Sequence, residues 1–245
     1  MPIDTDALAS SLRRLTDRDH PDGNLLAALH EVTEACVELF GVSGSGIMLA
    51  DEQNVSRYVA ASNGPGRMLE TLESETGSGP CTEAFVFGHA ITVTDLATDS
   101  RWPALAAAMA PHHVHAVLGV PVRLGGVIVG TLDVYKDHPA DWDESERAAL
   151  TRFSNIVGML LSSTLSAHQA TELAAQLQYA LDYRAVIERG VGYLMARDGV
   201  DAVVAFNRLR RAARSTQSKV GTVATQLLET GRLPTDGNRR RPSPS

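Results

Sequence analysis

The sequence has few cysteines and no long apolar run. Its 245 residues include two cysteines, Cys36 and Cys81, too few for a disulfide framework or a structural zinc site. No run approaches the roughly 18 to 20 apolar residues that a membrane-spanning helix needs. Residues 1–22 carry acids where a signal peptide would have an apolar segment, so we expect a cytoplasmic protein.

The sequence also lacks the short motifs that mark common enzymes. No phosphate-binding glycine loop, nucleophile elbow or protein-kinase signature occurs in it. We therefore predict no catalytic residue and no enzymatic activity.

Charge is divided unevenly along the chain. The formal net charge is −7, but from residue 176 to the end 12 Lys and Arg stand against 6 Asp and Glu. Such asymmetry indicates a C-terminal segment that contacts a polyanion. The alternative is an ordinary solvated helical face. The 44% hydrophobic and 21% charged content is typical of a globular protein.

The apolar pattern predicts an α+β domain in the first two thirds of the chain. Apolar residues recur at helical spacing after Asn24, which suits an N-cap. Cys36 lies on this stripe, so we expect it in the core. Strand character follows, with short helices between, at residues 46–50, 55–61, 90–95, 116–124 and 127–135. Gly125 and Gly126 join the last two strands closely enough for a hairpin, which favours an antiparallel sheet.

Several short motifs of this region, taken together, resemble the GAF domain family. They are GPCTEAF (79–85), ITVTDL (91–96) with DSRWP (99–103), VPV (120–122) and GTLDVY (130–135). The resemblance covers residues 24–165. It implies an antiparallel sheet with helices on one face and, on the other, loops and short helices closing over a pocket. We expect an unidentified small-molecule ligand there and predict no other cofactor.

Cys81 is the candidate redox-sensing or ligand-sensing residue of this domain. It follows a Gly-Pro turn at a predicted helix start, where backbone amides can lower a thiol pKa. Three interpretations stay open: a core thiol, a sensor, and the catalytic cysteine of a GAF-type methionine sulfoxide reductase. The reductase needs a nearby resolving cysteine, and Cys36 is expected in the core. Bilin attachment is disfavoured because Thr82, not histidine, follows Cys81.

Three histidines, His112, His113 and His115, cluster near the expected lid over the pocket. Imidazole is a common metal ligand, but no carboxylate or thiolate stands at a recognisable ligand spacing from them. We interpret the cluster as a polar loop and predict no metal site.

A long helix is predicted after the sensor, with acids in its first turn. From Ile156 to Ala180, small or apolar residues step by three and four, which is typical of a weak coiled-coil seam. We expect one continuous helix from Asp143 to Tyr183 that pairs with its mate in a homodimer and runs into the C-terminal segment.

The C-terminal segment contains three blocks with helical spacing and a basic outer side. They are RAVIE with Gly192 and LM (184–195), AF, LR and AR (205–214), and KV with VA (219–224). In this order they resemble the ANTAR domain, a three-helix RNA-binding module of bacterial antitermination regulators, over residues 176–231. A GAF sensor before this module matches an architecture common in actinobacteria. The resemblance implies signal-dependent binding to RNA hairpins in nascent transcripts.

One position departs from the family. ANTAR domains usually read Ala-Lys-Gly where this chain has Gly190-Val191-Gly192, so a lysine expected near the RNA is absent. Each lost phosphate contact lowers the salt dependence of binding by about one unit of slope, so weaker binding or another target is expected. Gly190 falls on the packing side, and we expect another helix to approach it closely.

The predicted RNA-binding residues lie in or beside these helices. Four are expected at phosphates: Arg208, Arg211, Arg214 and Lys219. Nearer the loop bases we expect Arg210, Ser215 and Gln217, and Arg184 completes the set. The alternative for each arginine is surface solvation.

We predict an α+β, homodimeric, signal-responsive RNA-binding regulator that acts in antitermination and binds neither DNA nor membranes. Its predicted parts are an N-terminal tail or short helix (1–23), a GAF sensor (24–165), a coiled-coil linker helix (166–183), a three-helix ANTAR domain (184–233) and a disordered basic tail (234–245). The alternative is a sensor scaffold whose C-terminal helices bind a protein. Val191 favours that alternative, and the positive C-terminal charge disfavours it.

Overall fold

The computed structural model describes residues 3–17, 24–50, 56–166 and 172–234, with side chains throughout except at residues 17, 56–58, 164–166 and 172–184. The described part of the N-terminal domain contains one five-stranded sheet. Its strands are β1 (Gly44–Ala50), β2 (Ser56–Ala61), β3 (Ile91–Val93), β4 (Ala116–Leu124) and β5 (Val127–Lys136). They lie in the order β2-β1-β5-β4-β3, and every neighbouring pair is antiparallel, which confirms the predicted α+β class.

The central hairpin forms as predicted. Gly125 and Gly126, with φ of 57° and 84°, are the two residues between β4 and β5. Positive φ at both positions matches the right-handed twist of the flanking strands, and glycine adopts it without a Cβ clash. The hairpin therefore places β4 and β5 side by side at the centre of the sheet.

Helices cover both faces of the sheet. They are α1 (Thr5–Asp17), α2 (Leu25–Phe40), α3 (Gly64–Thr76), α4 (Pro80–Phe87), α5 (Pro103–Met109) and α6 (Glu144–Ser166). Asn24 caps α2 as predicted, because its side chain accepts a hydrogen bond from the backbone amide of Ala27.

Strand alternation decides what each face buries. Leu132 and Val134 of β5 pack in one core with residues of α1, α2 and α6. Tyr135, on the opposite face, packs in a second core with residues of α3, α4 and α5. Because successive side chains point to opposite faces, Asp133 lies on the same face as Tyr135. This face is the one on which a ligand pocket is expected.

The C-terminal domain is a bundle of three helices. They are α7 (Glu172–Asp198), α8 (Ala202–Thr216) and α9 (Val220–Thr230). Apolar residues from each meet in its core, among them Ile187, Leu209 and Leu227, all 0 to 1% exposed. A Cβ added at Gly190 would lie 3.1 Å from the Cβ of Ala224 in α9, so the predicted close helix approach at Gly190 is confirmed. The predicted domain start at residue 184 falls inside α7.

The described parts of the helix expected from Asp143 to Tyr183 are α6 and α7, and they do not lie along one straight axis. Gly158 of α6 lies against the carbonyl of Arg123, whose guanidinium donates to the carbonyl of Gly88 at 2.7 Å. Two residues before Gly88, Val86 lines a groove with Ile187 of α7. A straight helix rises about 1.5 Å per residue and would place Ile187 about 43 Å beyond Gly158.

The described part of the chain instead returns to the sensor domain, and α7 contacts α6, β1 and β5. Residues 167–171, where the two helices would join, lie outside the described residues. Pairing of two copies through this region stays a prediction.

Candidate sensor site and nucleic-acid interface

Five of the predicted RNA-binding residues are exposed at one end of the C-terminal bundle. They are Arg211, Arg214, Ser215, Gln217 and Lys219. We call Arg211, Arg214 and Lys219 the basic edge. The chain turns sharply between α8 and α9, where Gln217 has a φ of 51° and its backbone amide closes the end of α8. The turn brings the two helix ends, and with them the basic edge, to one side of the bundle.

The positive charge of Arg208 is partly neutralised by a nearby carboxylate. Its guanidinium forms an ion pair with Asp198 at the end of α7, and Arg197 contacts the same carboxylate at 2.6 Å. The two arginines, Arg197 foremost, lower the pKa of Asp198. Arg208 is therefore one of two cations that share one anion.

Arg210 does not face solvent. It is 5% exposed, and its guanidinium donates at 2.8 Å to the carbonyl of Ser74 at the end of α3. Asn207, one turn earlier on α8, donates at 2.6 Å to the carbonyl of Gly77. Arg214 makes a longer contact with Ser74, at 3.4 Å. Of the three residues expected near RNA bases, Arg210 thus rests on the sensor domain, whereas Ser215 and Gln217 are exposed.

An aromatic contact continues this interface. The rings of Phe85 in α4 and Phe206 in α8 lie 6.0 Å apart, centroid to centroid, and both residues are almost fully buried. We call the contacts of Ser74, Gly77 and Phe85 with α8 the docking interface. The sequence did not predict it. The signal was present in Phe206 and Arg210, but apolar spacing does not tell which surface a helix covers.

Two cavities border the docking interface. An apolar groove of about 210 Å³ is lined by Val86 of the sensor and by residues of α7 and α8 that include Val191. A polar cleft of about 290 Å³ is lined by Glu75, Thr76, Asn207, Arg210, Arg211 and Arg214. Val191, which replaces the family lysine, is half-buried and faces the sensor domain here.

Two predicted basic parts of the chain, the Arg184 side chain and the C-terminal tail, lie outside the described residues. The side chain of Arg184 lies outside the described residues, although its backbone belongs to α7. The basic tail lies outside them from residue 235 onward.

Cys81 is buried in the first turn of α4 and is 0% exposed. Burial, followed by the charges of Asp133, Glu73 and Glu70, raises the pKa of its thiol well above the ordinary value. The expected lowering by helix amides is therefore outweighed, and the group is a neutral thiol without a bound cation. Cys36 is also a free, fully buried thiol, with a pKa raised by burial.

Three buried carboxyl groups surround Cys81, and together the four residues form what we call the acid–thiol cluster. Glu70 and Glu73 lie three positions apart on α3 and so project from one side of the helix. Asp133 comes from β5, and all three carboxyls are 0% exposed. Glu73 of the cluster immediately precedes Ser74 in the last turn of α3, so the cluster adjoins the docking interface.

The carboxyl groups have different partners. Glu73 accepts hydrogen bonds from the backbone amides of Cys81 at 3.2 Å and Thr82 at 2.8 Å, at the N-terminus of α4. Burial still raises the pKa of Glu73 to about 7. Both oxygens of Glu70 and both of Asp133 lack a hydrogen-bond donor among the described residues. Burial, and then Asp133, raises the pKa of Glu70 well above its usual range. Burial raises the pKa of Asp133 to about 6, although hydrogen bonding with the Glu70 and Cys81 side chains acts in the lowering direction.

The histidine loop has local partners. His115 lies on the loop before β4 with its Nδ1 2.8 Å from a carboxylate oxygen of Asp95, and His113 ends a short 3-10 turn with a φ of 52°. Within the described residues, the one group of three possible metal ligands is Glu70, Cys81 and Asp133, which includes no histidine.

The comparisons with known proteins agree with this division into sensor and output. Residues 24–161 match the GAF domain, and residues 175–228 match the ANTAR domain. The chain belongs to the GAF family and carries an ANTAR domain. GAF and ANTAR domains are sensor and regulatory modules, so the predicted class of signal-responsive RNA-binding regulator is supported. No protein with a curated description matches the chain in sequence.

Solved GAF structures share the fold of the N-terminal domain. The GAF domain of an Acinetobacter phosphoenolpyruvate-protein phosphotransferase has a TM-score of 0.53 at 17% identity, over 68% of this chain and 96% of that one. The free methionine-R-sulfoxide reductase of Neisseria meningitidis, solved with its substrate, has a TM-score of 0.52 at 20% identity, over 66% and 89%. At such identities the likeness shows the fold alone.

The GAF domain therefore does not decide the question of catalysis. Because one structural neighbour is a reductase, the absence of catalysis in this chain stays a prediction. Among the described residues, no helix combines the length and hydrophobicity that crossing a bilayer requires.

Proposed function

We propose that the protein binds RNA hairpins through the basic edge of its ANTAR domain and so regulates transcription by antitermination. Arg211, Arg214 and Lys219 contact phosphates, and Ser215 and Gln217 lie near the loop bases. The observation that carries this proposal is the exposure of these five residues at one end of the matched ANTAR domain. Single-stranded loops offer unstacked bases and a flexible backbone to such a surface. A nascent transcript as target agrees with the predicted cytoplasmic location.

The GAF domain controls access to the RNA-binding face through the docking interface. In the docked arrangement Asn207 and Arg210 are bonded to backbone carbonyls of Gly77 and Ser74, so neither is available to a base. Full RNA binding then requires α8 to leave the sensor. A ligand that bound only the docked form would weaken RNA binding, and one that bound only the undocked form would strengthen it.

A short path links the sensor core to the docking interface. Glu73 holds the first turn of α4 through the amides of Cys81 and Thr82, and Ser74 is the next residue along the chain. Its carbonyl accepts from Arg210. A change of charge or geometry in the acid–thiol cluster therefore acts on the segment that holds α8.

The protein acts as a homodimer, joined through the helical face of the sensor. Met159 of α6 and Leu26 of α2 are large apolar residues that are 52% and 51% exposed. The two helices pack against each other, and a second copy would cover both side chains.

The RNA proposal is tested with the full chain and a panel of short RNA hairpins at several salt concentrations. The double variant R211A/R214A removes two basic side chains of the edge, and R67A/R152A removes two exposed arginines of the sensor as a matched control. We expect hairpin-selective binding, a salt slope lower by about 1.5 to 2 units in the edge variant, and an unchanged slope in the control.

The alternatives give different results in the same experiment. Equal binding by both double variants would place the RNA elsewhere. No binding to any hairpin at low salt, with and without oxidant, would favour the protein-binding scaffold, for which the apolar groove at Val86 and Val191 is the available surface. Turnover of free methionine sulfoxide that is lost in C81S would establish the reductase interpretation.

A further inference from the structure

Potential metal ligands from three separate elements meet inside the sensor domain. One ligand atom each from Glu70 of α3, Cys81 of α4 and Asp133 of β5 lies within 4.8 Å of the other two. All three residues are 0% exposed. We propose that Glu70, Cys81 and Asp133 bind one divalent transition-metal ion of the Zn²⁺ or Fe²⁺ class. The sequence alone predicts no metal site, and this proposal departs from that prediction.

Four buried carboxyl oxygens of the cluster are suited to binding a cation. Both carboxylate oxygens of Glu70 and both of Asp133 are buried without a donor among the described residues. Burial of an unpaired carboxylate costs several kcal/mol, so buried acids of this kind are paired, protonated or bound to metal. The described surroundings of these two side chains supply no cation. Hydrogen bonds from the Cys81 thiol and from a protonated Glu70, which lower the pKa of Asp133, or a bound cation can satisfy them.

The sheet leaves space for these side chains. Asp133 is paired across the sheet with Gly46 of β1 and Gly119 of β4. A Cβ at Gly46 would overlap the carboxyl group of Glu70, and a Cβ at Gly119 would lie 3.7 Å from the sulfur of Cys81. Glycine inside a strand weakens it and often marks a place where another group approaches closely. Two glycines therefore flank Asp133 in the sheet. The Glu70 side chain packs over Gly46, and the Cys81 side chain packs over Gly119.

The donor set selects the class of ion. One thiolate and two carboxylates suit borderline divalent ions, whereas Mg²⁺ and Ca²⁺ prefer oxygen ligands alone. Zn–S and Zn–O distances of about 2.3 Å and 2.0 to 2.2 Å put ligand atoms of a tetrahedral site roughly 3.5 Å apart. The ligand atoms here lie up to 4.8 Å apart. Shifts of about 1 Å in side chains as long as glutamate would bring them to the tetrahedral spacing.

Glu73 holds the site in position without being one of the three ligands. Its two hydrogen bonds to backbone amides fix the first turn of α4 and with it the Cα of Cys81. Partners that orient ligands in this way commonly change metal affinity by about 10- to 100-fold when removed. Metal binding releases the thiol proton of Cys81 and any proton held between Glu70 and Asp133.

The test measures metal content and coordination in the full chain without RNA, so its result does not depend on the proposed RNA binding. Protein expressed with added Zn²⁺ or Co²⁺ is analysed by native mass spectrometry, and the Co²⁺ form by absorption spectroscopy. We expect one ion per chain and a near-ultraviolet charge-transfer band that reports a thiolate ligand. In C81S the band disappears, and in E70Q and D133N the affinity for Co²⁺ falls at least tenfold.

Two control variants distinguish the loss of a metal ligand from a non-specific effect on folding. C36S changes the other fully buried thiol, and E75Q changes an exposed acid of the same helix as Glu70. Both are expected to bind Co²⁺ as the parent does. E70Q and D133N keep the side-chain shape and replace a buried carboxyl group by a neutral amide, so both are expected to fold, which thermal melting verifies. If the folded parent holds no stoichiometric Zn²⁺ or Co²⁺, or if the three ligand variants bind as well as the controls, the proposal is overturned. The cluster is then a carboxyl pair that shares a proton.

Discussion

Gly77 is the residue at which docking of α8 can be tested most sharply. It ends α3 with a φ of 66°, and a Cβ there would overlap the guanidinium of Arg210 and the amide of Asn207. Gly77→Ala therefore strains the end of α3 and pushes α8 away. Gly41 is a matched control, because it ends α2 with a φ of 58° and has nothing within 4 Å of an added Cβ.

The two variants share one cost and differ in another. Left-handed backbone at a residue with a Cβ costs about 1 to 2 kcal/mol, and both variants lose this much folding stability. Gly77→Ala also breaks the hydrogen bonds from Asn207 and Arg210, which contribute roughly 0.5 to 1.5 kcal/mol each. The docked state is then destabilised by about 1 to 3 kcal/mol, which shifts the docked-to-undocked ratio by roughly 5- to 150-fold.

The assay compares RNA-hairpin affinity and the radius of gyration from solution scattering for the parent, Gly77→Ala and Gly41→Ala. We expect tighter binding and a larger radius for Gly77→Ala alone, because only that variant releases α8. Affinity that rises equally in both variants would mean that helix-end strain is responsible. Parent-like values in Gly77→Ala would refute the reasoning that docking restrains RNA binding.

Three further predictions concern packing, assembly and the buried acids. Gly192→Ala adds a Cβ in open space and should raise the free energy of unfolding by about 0.5 to 1 kcal/mol, whereas Gly190→Ala should lose this gain, as urea titration of each variant measures. Met159→Glu combined with Leu26→Glu should lower the dimer fraction in analytical ultracentrifugation, and unchanged sedimentation would remove the proposed dimer face. Asp133→Asn in metal-free protein should leave the melting temperature equal or higher, because it removes a buried charge, and a clear loss would indicate a favourable partner for that carboxylate.

Much of the fold was predictable because helices, strands and turns depend on the pattern of residues close together in the sequence. Apolar residues at every second position located the strands, and apolar residues three or four positions apart located the helices. Asn24 marked the cap of α2, and Gly125-Gly126 marked the hairpin. The proposed RNA-binding residues were predictable only as a basic outer side of the helices. Arg210 carries the same charge as Arg211, yet one is buried at the docking interface and the other is exposed.

The direction of α7 relative to α6 could not be predicted. The apolar and small residues from Ile156 to Ala180 do keep helical spacing, and α6 and α7 are both helical in the described residues. Spacing does not report the direction of a later helix, since that direction depends on contacts made by α7 with the sensor strands. Those contacts are made by surfaces far apart in the chain.

By itself, the sequence determined an α+β sensor followed by three basic amphipathic helices, because periodicity and turn chemistry act between near neighbours. Only the tertiary structure decided that α8 rests on the end of α3 and on α4, and that Glu70, Cys81 and Asp133 meet. These residues come from two helices and a strand that the sheet brings together, and Gly46 and Gly119 leave them room. Which residues meet depends on how helices and strands pack against one another. The spacing of residues within one segment does not report that packing.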